Sequence, residues 1–154
     1  MPITPFHFGP GAALHAVAPK HVSFLAFCAA NVVIDVKSLV NLVQRREPVH
    51  AFLHTYVGAT LVWLGLAALC WMAQRLTRWR GLTLRQVALG ALLGAYSHVL
   101  LDSVMHHDIQ PLQPFAAGNA LHGLVSLATL HGACIAAGVF ALAWIAMRRL
   151  RRTD

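Results

Sequence analysis

Four long apolar stretches, each broken by polar residues at helical steps, organise this chain. They run from about Val22 to Leu42, Val49 to Ala73, Leu84 to Met105 and Leu121 to Met147. Each reaches the roughly 20 mostly apolar residues that a helix needs to cross a bilayer. The pattern predicts an all-α fold: one membrane-embedded domain over residues 1–154, an integral membrane bundle of about four transmembrane helices. Residues 1–19 come first and carry Pro2, Pro5, Pro10, Pro19, Gly9 and Gly11. Those breakers predict at most a short helix around Ala12–Val17, within an interfacial or re-entrant arm.

The polar residues inside the spans share faces. Asn31, Asp35 and Ser38 follow i, i+4, i+7 in the first span. His50, His54 and Gly58 open the second, and His98, Asp102 and His106 close the third at the same four-residue step. His122, Ser126 and Thr129 open the fourth. At 100° per residue each set lies on one stripe of a helix. An ionisable group at mid-bilayer costs about 2.5–3.5 kcal/mol on insertion scales, so such stripes are expected to face the bundle interior. Gly90 and Gly94 continue the third stripe inward and leave room for a neighbouring helix.

Composition strengthens the membrane reading. Apolar residues make up 58% of the chain and charged residues 11%, against about 25% charged in an average soluble protein. The mean hydropathy is +0.62. A disordered chain and an ordinary soluble enzyme are excluded. The net charge of +7 is concentrated. Arg75, Arg78, Arg80 and Arg85 form one basic segment; Arg148, Arg149, Arg151 and Arg152, against Asp154, form the other. Elsewhere Lys20, Lys37, Arg45 and Arg46 balance Asp35, Glu47, Asp102 and Asp108. Basic clusters flanking apolar spans are the positive-inside signature, not a nucleic-acid surface. The loop Gln74–Thr83 and the C-terminal tail are therefore expected on the cytoplasmic side, and by parity the N-terminus with them. The loops Gln44–Pro48 and His107–Ala120 then face outward, with Arg45 and Arg46 running against the rule. Trp71 and Trp144 fit an aromatic belt near the cytoplasmic ends. Cys28, Cys70 and Cys134 lie singly in apolar runs and form no disulfide framework. The first nineteen residues hold no Lys or Arg and no clear apolar core, so no cleavable signal peptide is expected.

Five acidic residues accompany ten histidines. The topology brings Asp35, His50, His54, His98, Asp102, His106 and His122 to one depth near the outer interface. Imidazoles and carboxylates together form a ligand set for a transition metal, most often zinc. Catalytic zinc lowers the pKa of its water to roughly 7, which supplies a hydrolytic nucleophile. Each part has a plainer reading. His50 and His54 also suit a helix start, and His98 with Asp102 an internal hydrogen bond. Lys37 snorkels to the interface, and His131 is packed or lipid-facing. His15 and His21 read as interfacial, His107 and Asp108 as loop solvation, and Gly90 and Gly94 as packing.

The same residues carry a family likeness. The chain resembles, from His7 to about Phe115, the YdjM-like family of LexA-regulated, inner-membrane-associated metal-dependent hydrolases. His7, in Thr4-Pro5-Phe6-His7-Phe8-Gly9, resembles the N-terminal His of that family. Asn31-Val32-Val33-Ile34-Asp35 resembles its Pro-Asp-Ile-Asp stretch, and His50-Ala51-Phe52-Leu53-His54-Thr55 its His-Arg-Gly-Phe-Thr-His-Ser signature. Ser97-His98-Val99-Leu100-Leu101-Asp102 resembles its Ser-His-x3-Asp signature, and Pro111–Phe115 its Pro-rich segment. The departures are an x3 His–His spacing, Ala51 in place of Arg, and Asp35 alone in place of an acidic pair. The order of ligands is also distantly similar to zinc-dependent phospholipase C and the S1/P1-type nucleases. Ser126 stands where their last Glu would follow His122, which points to one or two ions instead of three. These resemblances imply phosphoester hydrolysis.

The sequence therefore predicts a membrane-bound, zinc-type metal-dependent hydrolase acting on a phospholipid-like substrate at the interface of a bacterial inner membrane. The expected metal ligands are His7, Asp35, His50, His54, His98, Asp102, His106 and His122. Asp35, His54, His98 and Asp102 form the catalytic core, with Asp35 the leading carboxylate for a base. A metal-binding or transport protein without hydrolysis, and a purely structural bundle, are the alternatives. Gly-rich faces on spans three and four permit a homo-oligomer.

Overall fold

The structure is a computed structural model that describes residues 4–46, 49–50, 52–77 and 81–151. Among these it is all-helical: α1 (Thr4–Val17), α2 (Phe24–Val43), α3 (Tyr56–Thr77), α4 (Leu84–Met105) and α5 (Leu127–Leu150), with one 3₁₀ turn at Phe52–His54. The expected all-α architecture is what the chain adopts. Helices α2 to α5 are each long and apolar enough to cross a membrane; at 1.5 Å per residue they reach roughly 30 Å or more. Arg78, Arg80 and Arg152 of the basic segments, and Pro2, Glu47, Pro48, Ala51 and Asp154, lie outside the described residues.

Local chemistry sets the helix starts. Ser23 caps α2 by accepting from the Ala26 N–H. Thr83 and Gln86 form a reciprocal capping box at α4. Ser126 caps α5 by accepting from the Thr129 N–H. That last cap corrects one expectation. The fourth helix begins at Leu127, so His122 precedes it and Ser126 is spent on the backbone. The second apolar stretch also starts later than expected. Its helix begins at Tyr56, and His50 and His54 lie before it.

Helix α4 is the hub, packed on α2 and α3, while α1 packs chiefly on α5 and then on α2. The α2–α4 seam is close because α4 presents glycine there. A Cβ on Gly90 would run into the Ser23 carbonyl, and one on Gly94 into the Phe27 carbonyl. The reading of these glycines as packing residues therefore holds. The buried core along this seam is built of small and branched residues, among them Ala26, Ala30, Ile34, Ala91, Ala95 and Val99. Such close backbone approach is how helices gain packing energy when the surroundings are as apolar as leucine.

The N-terminal arm is more regular than its breakers predicted. It forms a 14-residue helix that includes Pro10. An interior proline costs about 3 kcal/mol, which packing along α5 offsets. Gly9 lies directly against the Cys134 carbonyl. The Arg148 guanidinium donates to the Ala16 carbonyl, 3.3 Å away. The end of α1 thus lies with the basic tail, and its start, with His7, lies at the opposite end of the bundle.

Candidate metal centre

Three separate stretches of chain place the site. On α2, Asn31, Asp35, Ser38 and Asn41 are all buried, so the expected polar stripe does face inward. On α4, His98 and Asp102 are fully buried. Between α2 and α3, the Phe52–His54 turn delivers His54. Thr55 fixes that turn: its hydroxyl donates to the Phe52 carbonyl at 2.8 Å and accepts from the Gly58 N–H at 3.0 Å. The Tyr56 N–H donates to the Pro111 carbonyl at 2.9 Å and ties the turn to the loop after α4.

Asp35, His54, His98 and Asp102 each bring one ligand atom into a group whose members all lie within 4.8 Å of one another. His98 Nε2 is 3.2 Å from Asp35 Oδ1 and 3.3 Å from Asp102 Oδ2. His54 Nε2 is 3.4 Å from Asp35 Oδ1 and 3.3 Å from Asp102 Oδ2. The two Nε2 atoms are 3.3 Å apart. Ligands held tetrahedrally at the usual zinc distances of about 2.0–2.1 Å would lie about 3.3–3.4 Å from one another. Five edges of that tetrahedron are therefore already in place. Neither carboxylate oxygen of Asp102 has a hydrogen-bond partner among the described residues, although both are buried.

The surrounding hydrogen bonds assign the protons. The Asn31 amide nitrogen donates to the Phe27 carbonyl at 2.8 Å and to the Gly94 carbonyl at 3.4 Å. This turns Asn31 Oδ1 toward His98 Nδ1, 2.9 Å away. That oxygen only accepts, so Nδ1 carries the proton and Nε2 keeps its lone pair. His54 Nδ1 faces the Ser38 hydroxyl at 3.4 Å, which leaves its Nε2 turned to the same centre. Two imidazole Nε2 atoms and two carboxylates thus converge in a buried space. Without a cation or added protons this arrangement is strongly unfavourable. The outward tether of each ring is the usual support of a metal-ligating histidine.

Three further expected ligands gather at the same place. His7 Nδ1 lies 3.0 Å from His98 Nδ1, and its Nε2 lies 3.2 Å from Asp102 Oδ1. His7 arrives because α1 starts at the site, at the end of the bundle opposite the basic tail; this corrects the parity expectation, which placed the N-terminal arm with the basic side. His50 and His106 form a second group with Asp102, again within 4.8 Å. Burial pushes the His50 imidazole below its ordinary range. Burial and the adjacent His50 ring take His106 down to about 4. Both are therefore neutral at pH 7. Asp108 moves differently: burial opposes its charge, but hydrogen bonds from the His50 backbone and ring hold its carboxyl below the usual carboxylate range.

The remaining candidates stay apart. His122 is exposed in the loop before α5, 6.2 Å ring to ring from His107. His131 stacks on Phe6 at 4.2 Å and is a packing residue. His15 binds the Val22 carbonyl at 2.7 Å, at the other end of α1. The reading of Asp108 as loop solvation is corrected: it accepts from the His50 ring with both oxygens at 2.9 Å. Its only signal in the sequence is an acid two residues after His106 in a chain with five acids.

The donor set suits a divalent transition metal. Two imidazoles and two carboxylates serve zinc, and also manganese or iron. No family model, curated protein or solved structure matches the chain.

Proposed function

We propose that this protein is a membrane-bound metal-dependent hydrolase that cleaves phosphoester bonds in a lipid or related substrate. The observation that carries the reading is the convergence of Asp35, His54, His98 and Asp102 at the spacing of a metal's ligands. A divalent ion there would supply Lewis-acid polarisation and would acidify a water molecule. Asn31 keeps the His98 ring in the ligating tautomer, and Ser38 lies against the outer nitrogen of His54. The α2–α4 seam holds Asp35 opposite His98 and Asp102.

His98 is seven residues before the end of α4, and Asp35 eight before the end of α2, about 10–12 Å below the helix ends. Helices that match a hydrocarbon core of about 30 Å place the site inside the apolar layer, below the headgroups, so a lipid substrate would have to reach down to it. In this proposal the basic end is cytoplasmic, the site faces outward, and the membrane is a bacterial inner membrane. The likeness of Ser97–Asp102 and His50–Thr55 to the YdjM-like signatures points the same way. Transport is less well supported. Away from the site, the buried seam is formed by Ala26, Ala30, Val87, Ala91 and Ala95, which offer no polar path.

One observation favours a second reading, a structural metal site without hydrolysis. Closed structural zinc sites have four protein ligands, and catalytic ones keep an open position. The two are separated with detergent-purified protein loaded with zinc or manganese. A phosphodiester ester and phospholipid vesicles are offered as substrates to wild type, His98→Ala and Asp102→Ala. Hydrolysis by wild type and its loss in both variants are expected. Stoichiometric metal without hydrolysis would establish the structural reading. Folded protein with no metal would leave a bundle held by His–Asp pairs.

A further inference from the structure

We propose a second cation seat, made by His50, His106 and Asp102, that shares the Asp102 carboxylate with the first. It rests on the metal-centre reading and deepens it, since a pair of ions bridged by one carboxylate is the result.

The second group stands on its own geometry. One ligand atom from each of these residues lies within 4.8 Å of the others. His50 Nδ1 is clamped between both oxygens of Asp108 at 2.9 Å, and the His50 backbone N–H donates to Asp108 Oδ2 at 3.2 Å. Ring and backbone are thus fixed together, and the ring proton is assigned to Nδ1. The opposite nitrogen, His50 Nε2, is buried with no partner among the described residues, as is His106 Nε2. The two rings lie 4.2 Å apart, centroid to centroid. Packing alone would leave two buried nitrogens unmatched side by side. A shared cation matches both.

Asp102 is placed to bridge. Its Oδ2 faces His54 and His98. Its Oδ1 lies 3.2 Å from His7 Nε2, and neither oxygen has a hydrogen-bond partner among the described residues. The seats also differ in kind. The first has four protein donors. The second has two imidazoles and one carboxylate, the set that leaves positions for water or substrate. His106 is half-buried and follows the last turn of α4, so this seat lies nearer the loop surface than the first. It is the seat that would bind a phosphoryl oxygen, with the closed seat beside it.

The test is manganese or zinc titration of the detergent-solubilised full chain by calorimetry and elemental analysis, with electron paramagnetic resonance of the manganese form. Wild type is expected to bind two ions, about 3.5–4 Å apart, with a spin-coupled manganese signal. His106→Ala is expected to keep one ion, with an uncoupled six-line signal. One ion per wild-type chain, or equal metal content in wild type and His106→Ala, would overturn the second seat. Hydrolysis by a one-ion wild type would leave the proposed function intact. Should His106→Ala fail to fold, Asp108→Asn decides. It touches only the tether of His50, and is expected to weaken the second binding phase about tenfold or more with the first unchanged. Unchanged second-phase affinity, or equal weakening of both phases, would overturn the proposal.

Discussion

Helices α4 and α5 are both long apolar segments, yet half of the apolar window of α4 lies inside the protein and only 11% of that of α5. The more buried helix is the less hydropathic one, at a mean of 1.5 against 1.9. In a water-soluble fold the order would be reversed. Where the surroundings are apolar, leucine gains nothing by leaving them, and burial goes to small residues and to polar groups. Helix α4 puts Gly90, Ala91, Gly94, Ala95, His98 and Asp102 inward. Helix α5 turns Ile135, Val139 and Leu142 outward and buries Cys134 and Ala141.

The largest test of this contrast is Asp102→Ala. It removes the one residue common to both ligand groups, and metal is expected to fall below about 0.1 per chain, read by elemental analysis beside helix content. Retained metal would detach α4 from the chemistry. Next comes a glycine of the α2–α4 seam. Gly94→Leu forces a side chain into the Phe27 carbonyl and is expected to lower stability by about 1–3 kcal/mol in thermal unfolding in detergent. Asn31→Ala frees the His98 ring, and metal affinity is expected to drop about 10–100-fold with little change in helix content. The smallest effect belongs to α5. A Cβ on Gly132 meets nothing within 4 Å, so Gly132→Ala is expected to be neutral or to stabilise by up to about 1 kcal/mol. Loss of stability there would show that α5 has a partner face.

The legible part of the site follows helical period. Asn31, Asp35 and Ser38 on α2, and His98 and Asp102 on α4, keep their spacing because both stretches are helices. His50 and His54 have the same four-residue spacing, but it has a different origin: a turn pinned by Thr55 and Pro111 carries His54, and Asp108 holds His50. His122 matched the pattern only while Ser126 was counted as a side chain of the site and not as a cap. The course of α1 had no local signal except Gly9, whose lack of a side chain allows close approach to α5. The role of Asp108 depends on a contact 58 residues away in sequence, with His50, which no periodicity encodes.

The pairing of α1 with α5 also sets an order of events during biosynthesis. Ala16 and Arg148 are 132 residues apart. At about 5–20 residues per second, roughly 7–26 s of translation separate them. Until α5 emerges, α1 lacks its main neighbour. Asp35, His54, His98 and Asp102 all precede α5, so the four-residue group is made before it. What the last helix adds is the wall along α1 that steadies His7 beside them.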